Sequence, residues 1–196
     1  IQFSASIFLI SGTLVVNRQL LFIRNSDIGF NRNNLLVVRT PTSFSEVSSA
    51  FKEEFSSHAG IESVSISSSL PGFGFNNLGF GAEGIDRSFT LNVISCDPDY
   101  QQTLGLKLAE GRFFSAEYPT DSSGIILNET AVRILGMNEP LGRKMNTYGG
   151  RNFRVIGILH DFNYESVRSE IRPIGLVYQN GVLVQPAEYL TIRFKP

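Results

Sequence analysis

The sequence predicts an α+β fold with a split β-α-β layer, an inserted smaller α/β lobe and a long N-terminal helix. Three observations predict it. Residues 1–17 are uncharged and mostly apolar, which is typical of a long helix next to or inside a membrane. From residue 34 onward, short apolar strand patterns alternate with helical patterns. Several of the helical patterns end at a glycine, which is a common helix stop.

The composition excludes several classes of function. The chain has 196 residues, with 17 Lys and Arg against 18 Asp and Glu, which gives a formal net charge of −1. Proteins that bind nucleic acid through its phosphates carry excess positive charge, so we expect no nucleic-acid partner. The single cysteine, Cys96, permits no internal disulfide, and the two histidines, His58 and His160, leave little for a metal centre. We expect no metal, nucleotide or covalent cofactor.

The N-terminal segment predicts one continuous helix from about Ser4 to Asp27. A helix over residues 1–17 spans about 25 Å, slightly less than the apolar core of a bilayer. A membrane helix stub is favoured over an amphipathic helix packed on the domain, and Gly29 is the predicted residue past the helix end. One face of the helix is expected to carry Phe3, Ile7, Ile10, Leu14 and Leu21.

A β-α-β unit follows. Residues 34–39 and 62–67 read as strands, and in the second one Val64 and Ile66 are expected to point inward with the serines outward. The pair Ser43 and Glu46 forms a capping-box pattern at the start of the intervening helix. The apolar face of that helix is predicted to carry Phe44, Val47, Phe51 and Phe55, and Gly60 ends it.

Residues 70–84, with five glycines and three phenylalanines, are predicted to form a long loop. The segment lacks the Gly-Lys-Ser/Thr of a phosphate loop, and no helix follows it as a dinucleotide fingerprint requires. Two interpretations stay open for Phe73, Phe75 and Phe80. They either pin this segment to the core, where it would link two lobes, or form a contact patch for a partner.

The middle of the chain continues the alternation of strands and helices. Residues 89–95 read as a strand, and Asp97–Pro98 reads as the cap and first residue of a short helix that Gly105 ends. A short strand and turn are predicted over 106–111. Residues 124–127 read as a buried strand, and Asn128 is predicted to cap a helix that ends at Gly136.

The last third predicts a hairpin, a helix and two strands. The hairpin joins residues 142–145 to 153–158 across Gly149–Gly150. A helix bearing Tyr164, Val167 and Ile171 is predicted to end before Pro173. Residues 174–178 and 189–194 read as strands.

An enzyme is the weaker interpretation. His160 and Asp161 follow an apolar strand, where ligands often bind in α/β proteins, but neighbouring strand residues point to opposite faces. We expect Asp161 to cap the helix after it and His58 to interact with the end of its own helix. The acidic residues Asp97, Asp99 and Glu110 lack the spacing of a calcium loop, so the first two are expected to be helix caps. Cys96 is expected to be a small buried apolar residue.

Several segments together resemble the extracytoplasmic domain of MacB/FtsX-type ABC transporter permeases. The order of the segments matches, and the resemblance covers nearly the whole chain. Its most specific features are Gly105 with Leu106, Gly111–Arg112–Phe113, Asn128–Glu129, Leu141–Gly142 and Asp161–Phe162. The resembling segments are QFSASIFLISGTLVVNRQLLFIRNSDIGFNRNNLLVV, GIESVSISSSLPG, DPDYQQTLGLKLAEGRFF, ILNETAVRILGMNEPLGRKM and VIGILHDFNYESVRSEIRP.

The resemblance implies a division of the chain and a set of partners. It implies a membrane-helix stub and stalk over 1–28, the first half of a porter-like lobe over 29–69, an inserted lobe over 70–172 and return strands over 173–196. Family members continue beyond such a strand, so the second half of the lobe is expected either to be missing or to lie outside the given sequence. The implied partners are a cytoplasmic ABC ATPase, a second permease half or copy, the membrane, and an envelope protein or exported substrate.

The implied function is mechanotransmission across the bacterial inner membrane, with this domain on the periplasmic side and without catalysis. A rigid helix that enters an α+β body would act as a lever. The alternative is an extracellular binding module for a peptide or glycan, in which Phe73, Phe75 and Phe80 form the contact surface. Exposure of these rings distinguishes the two interpretations.

Overall fold

The computed structural model describes residues 2–25, 28–41, 48–165, 169–183 and 185–196. Over these residues the chain forms a ten-stranded sheet with helices on it. The helices are α1 Gln2–Asn25, α2 Ser48–Ser56, α3 Tyr100–Leu104 and α4 Glu129–Leu135, with a 3₁₀ turn at Pro119–Ser123. The strands are β1 Leu35–Arg39, β2 Ile61–Ser67, β3 Asn76–Ala82, β4 Ile85–Cys96, β5 Leu108–Gly111, β6 Gly124–Asn128, β7 Lys144–Thr147, β8 Asn152–Leu159, β9 Ile174–Tyr178 and β10 Tyr189–Phe194.

Helix α1 extends without a break from Gln2 to Asn25, and the apolar side chains of its segment Phe3–Leu21 are exposed. Its segment Phe3–Leu21 has a mean hydropathy of 1.2, and none of it is buried by the rest of the chain. In the described residues this is the one helix long and apolar enough to cross a membrane. The predicted continuous helix is confirmed as far as Asn25; its predicted end at Asp27 lies outside the described residues.

One edge of the sheet consists of β1, β10 and β2, in that order. Strand β10 is antiparallel to both neighbours, so β1 and β2 run in the same direction with one strand between them. The chain passes from β1 to β2 through α2, which packs Phe55 on Val64, Ile66, Leu190 and Ile192. The predicted capping box at Ser43 and Glu46, with Phe44 and Val47, lies outside the described residues.

The other six long strands form a closed ring in the order β4, β3, β7, β8, β6 and β9, and β9 pairs back onto β4. The inside of the ring is filled by an apolar cluster, and alternate residues of the same strands build a second cluster on the outside. Strand β6 shows this directly, because Ile125 and Leu127 belong to the inner cluster and Ile126 to the outer one. The outer cluster is covered by α3 and by Phe162 and Tyr164.

Most predicted elements are confirmed, and three local predictions are wrong. Residues 76–82 were expected in a loop but form β3, which pairs with β4 along its length. The serines of β2 were expected outside but are buried, because α3 covers that face of the strand. The expected helix around Tyr164 and Ile171 is absent from residues 161–165 and 169–173, where Phe162 and Tyr164 extend over the outer cluster instead. Val167 lies outside the described residues.

Candidate functional site

The junction between α1 and the body of the domain is the best-built polar site in the described part of the chain. The segment after α1 is held by backbone hydrogen bonds at two points. The Asn163 N–H donates to the Ile28 carbonyl at 2.8 Å, and the Asn31 N–H donates to the Leu104 carbonyl at 2.8 Å. The segment 28–31 that follows α1 is therefore tied to the loop after β8 and to the end of α3.

Arg193 on β10 lies at the centre of this junction and is 5% exposed. Its Nε donates to the Thr103 carbonyl at 2.8 Å, its Nη1 to the Asn33 carbonyl at 3.0 Å and its Nη2 to the Asn31 carbonyl at 2.8 Å. A guanidinium group presents its donors in a fixed planar fork. Arg193 therefore holds β10, the end of α3 and the segment after α1 in one fixed arrangement.

Two glycines allow the close approach of the backbone at this point. Gly29 has a φ of +80°, and a Cβ there would lie 2.7 Å from the Phe162 Cβ. Gly105 has a φ of +66°, and a Cβ there would lie 3.1 Å from the Asn31 Cβ. Residues other than glycine are strained at such φ values. Glycine therefore suits both positions because it tolerates the positive φ and because it has no Cβ to crowd the neighbouring residue.

A cleft of about 480 Å³ opens beside the junction. Its lining residues are Gly29, Phe30, Asn31, Gly105, Lys107, His160 and Asp161. The His160 Nδ1 lies 3.1 Å from Glu129 Oε1, and no serine, threonine or cysteine is among the described lining residues. Among the described lining residues, the cleft therefore places no hydroxyl or thiol beside His160.

Asp161 caps a different helix from the one predicted. Its carboxylate accepts hydrogen bonds from the Thr130 N–H at 2.9 Å, the Thr130 hydroxyl at 2.7 Å and the Asn128 amide at 2.8 Å. These groups lie at the start of α4, where Asn128 Oδ1 also accepts from the Ala131 N–H, which confirms Asn128 as the cap. The loop that contacts Gly29 is thereby fastened to α4 as well.

The predicted caps Asp97 and Asp99 bind an ammonium group instead. The Lys52 Nζ on α2 donates to Asp97 at 2.6 Å and also to Asp99, while Asp97 further accepts from the Ser65 hydroxyl and the Ile66 N–H. Burial acts to lower the pKa of Lys52, but the two carboxylates outweigh it and raise that pKa above 10.5. This contact attaches α2 to the body, and Glu110 lies elsewhere, exposed on β5.

A second ion pair fixes the segment between β5 and β6. Arg112 donates to both carboxylate oxygens of Asp121 at 2.6 Å, and its guanidinium lies 4.4 Å from the centre of the Tyr118 ring. Asp121 also accepts from the Ser115 N–H at 2.9 Å. Burial would raise the pKa of Asp121, but the hydrogen bonds from Arg112 and Ser115 lower it below 3.8.

The three phenylalanines of the 70–84 segment are not brought together. Phe73 is 45% exposed and packs on Tyr189. Phe75 is partly buried and meets Tyr164 edge-on with ring centres 4.9 Å apart. Phe80 is completely buried inside the ring of strands, next to Phe89 and Phe153.

The remaining singled-out residues have local roles. Cys96 is fully buried, and burial raises the pKa of its thiol, so it is a small apolar core residue as predicted. His58 follows α2, and its backbone N–H donates to the Phe55 carbonyl at the end of that helix. Sequence reasoning missed Arg193; the available signal was a charged residue at an otherwise apolar strand position.

The fold and the sequence both match known proteins. A family model described as the MacB-like periplasmic core domain matches residues 5–194. The periplasmic region of MacB from Actinobacillus actinomycetemcomitans has a similar fold, with a TM-score of 0.60 and 20% identity over 85% of this chain and 77% of that one. The extracellular domain of the ABC-type transporter YknZ from Gram-positive bacteria gives a TM-score of 0.58 and 14% identity over 83% of this chain and 84% of that one. No match was found among curated proteins.

Proposed function

Because the chain belongs to the family of MacB-like periplasmic core domains, we propose that it transmits ATP-driven motion from membrane helices to a partner in the envelope. The domain is part of an ABC transporter permease and lies on the periplasmic side of the inner membrane. The proposed partners are a cytoplasmic ABC ATPase, a second permease half or copy, and an envelope protein or exported substrate. The domain itself carries out no catalysis in this proposal.

The observation that carries the proposal is the polar junction at the end of α1. An exposed apolar helix of this length suits a membrane. Arg193 then joins the segment after that helix to a sheet strand and to α3 by three hydrogen bonds. A displacement of the stalk at this point would be passed to the body, because the guanidinium fixes both distance and direction.

The proposed division of the chain assigns each segment to the stalk or to a lobe. Residues 1–28 form the membrane stub and stalk, 29–69 the first half of a porter-like lobe, 70–172 an inserted lobe and 173–196 the return strands. Strand β10, between β1 and β2, is the return strand that joins the beginning and end of the chain in that lobe. Arg193 belongs to this strand, so the stalk connects to the lobe through it.

Spin labels test whether the junction is rigid during ATP turnover. One label replaces Gln19 on α1 and a second replaces Asn152 on β8, both exposed, in the permease assembled with its ATPase in lipid nanodiscs. Pulsed EPR is expected to give one stalk-to-body distance that ATP leaves unchanged, while body-to-body distances between permease copies or halves shift. Arg193→Met is expected to broaden the stalk-to-body distance. A stalk-to-body distance that changes with ATP while the body stays still would contradict the proposal.

A second candidate function is binding of a peptide or glycan by the 70–84 segment. The exposed ring of Phe73 favours it. Phe80 is enclosed in the core and cannot take part in such a contact, so Phe73 and Phe75 would form it. If Phe73→Ala keeps its melting temperature but no longer binds a partner, this function is favoured over the mechanical one.

A further inference from the structure

The outer face of β3 and β4 carries short polar side chains or none around the pairs Asn77–Asn92 and Gly79–Thr90. The register places Asn77 opposite Asn92 and Gly79 opposite Thr90. These residues alternate with Phe80 and Leu91, which point into the ring of strands. The face outside the ring therefore presents the exposed side chains of Asn77 and Thr90 beside the mostly buried amide of Asn92.

An aromatic ring lies at each end of this face. The Tyr148 ring rests on Gly79, where a Cβ would lie 2.1 Å from Tyr148 Cε2, and 76% of the residue is exposed. At the other end Phe75 stands against Tyr164, whose hydroxyl accepts from Asn92 Nδ2 at 2.7 Å. Phe75 and Gly79 are separated by about 13 Å along the strand.

Between the two ends is a cleft of about 340 Å³. Its lining residues are Asn77, Thr90, Asn92, Arg172 and Pro173. Arg172 supplies the charge among them, and its Nη1 lies 3.6 Å from the Glu165 carboxylate. The cleft therefore combines amide and hydroxyl groups with apolar surface, and the charged residue in its lining, Arg172, is largely exposed. The hydrogen bond to Tyr164 holds the Asn92 amide in place at the cleft wall.

We propose that this cleft binds a neutral oligosaccharide. Sugar hydroxyls both donate and accept hydrogen bonds, and the Asn amides and the Thr hydroxyl match them in both roles. The exposed Tyr148 ring beside Gly79 offers a flat apolar surface for the C–H face of a sugar ring. Sugars carry both polar and apolar faces, as this lining does. An acidic polymer and a peptide are the competing occupants, and the titration distinguishes them from a neutral sugar. This binding role does not depend on the proposed mechanical coupling.

An NMR titration of the labelled chain in lipid nanodiscs tests the proposal; maltoside detergents are avoided because their headgroup is itself a neutral disaccharide. The probes are cellotriose and chitotriose as neutral sugars, a trigalacturonate as an acidic one, and a tetrapeptide of Asn, Ser and Gly. Shifts of the Asn77, Thr90 and Asn92 backbone amides are expected with a neutral sugar.

The variants Asn77→Ala and Tyr148→Ala are each expected to weaken that binding about 5- to 10-fold, since each removes one hydrogen-bonding or stacking contact. Asn138→Ala, an exposed asparagine on another loop, is expected to bind as the unchanged chain does. Thermal melts show that each variant is folded. The proposal is overturned if neither neutral sugar binds, if only the acidic sugar or the peptide binds, or if both site variants keep full affinity.

Discussion

Arg193→Met removes the guanidinium at the stalk junction while keeping an unbranched apolar side chain in its place. Three backbone carbonyls lose their donor: those of Thr103, Asn33 and Asn31. Thr103 is completely buried, so its carbonyl stays unpaired at a cost of about 1–3 kcal/mol. Asn31 and Asn33 are exposed, so water replaces the donor there and each costs about 0.5–1 kcal/mol. The expected loss of unfolding free energy is about 2–5 kcal/mol.

The assay is urea unfolding of the chain in detergent, followed by circular dichroism, with the free energy extrapolated to zero urea. A thermal melt of the same samples should show a midpoint lower by about 4–20 °C for a chain of this size. Arg193→Lys keeps the charge but not the planar fork, so it is expected to fall between Met and the unchanged chain.

Arg39→Met is the matched control. Arg39 lies on β1, the outermost strand, which is the neighbour of β10. Its guanidinium is 3.6 Å from the Glu188 carboxylate, and its side chain is 76% exposed. An exposed ion pair is worth about 0–1 kcal/mol, so this variant should unfold almost as the unchanged chain does. If Arg193→Met unfolds within about 1 kcal/mol of Arg39→Met, the guanidinium does not hold the junction and the reasoning fails.

Further substitutions test other parts of the fold. Gly29→Ala combines a strained φ with a clash, whereas Gly72→Ala has a φ of +92° and open space around the new Cβ. Calorimetry should therefore show the larger loss of melting temperature for Gly29→Ala. Equal losses would exclude a packing role for Gly29. The pKa of Lys52 is raised, so its contribution to stability is present below pH 10.5 and lost as pH rises through the higher folded value; Lys52→Met should flatten that alkaline decline. The pKa of Asp121 is lowered by Arg112, so its contribution is present above pH 3.8 and lost as pH falls through the folded value; an unaltered acid titration of stability in Asp121→Asn would refute this.

Elements whose own residues carry the signal were predictable from sequence. Strand β6 is a short apolar run that is buried on both faces, and apolar periodicity identifies such segments well. Asn128 and Gly136 bound α4 as predicted, with the Asn128 side chain on the Ala131 N–H and Gly136 in the left-handed region. In both cases the deciding interactions lie within a few residues along the chain.

Elements that depend on distant residues were not predictable. Strand β3 contains two glycines, which disfavour strands, but Tyr148 and Asn146 from β7 and its turn cover the positions where Gly79 and Gly81 lack side chains. The carboxylate of Asp161 was expected to cap the segment after it, yet the groups it binds are about 30 residues earlier, at the start of α4. Local pattern carries no information on such pairings.

Arg193 shows why the central contact of the candidate site escapes local reasoning and also why it suits a mechanical role. Two of its acceptors, on Asn33 and Asn31, lie 160 and 162 residues away along the chain. All of its acceptors are backbone carbonyls, so no substitution on the partner side can compensate for loss of the guanidinium, unlike a pair of side chains that can be replaced together by apolar residues. An apolar contact is non-directional and tolerates sliding, whereas three hydrogen bonds from one planar group fix direction as well as distance. A stalk that must pass its displacement to a sheet needs the second kind of contact, and β10 provides it.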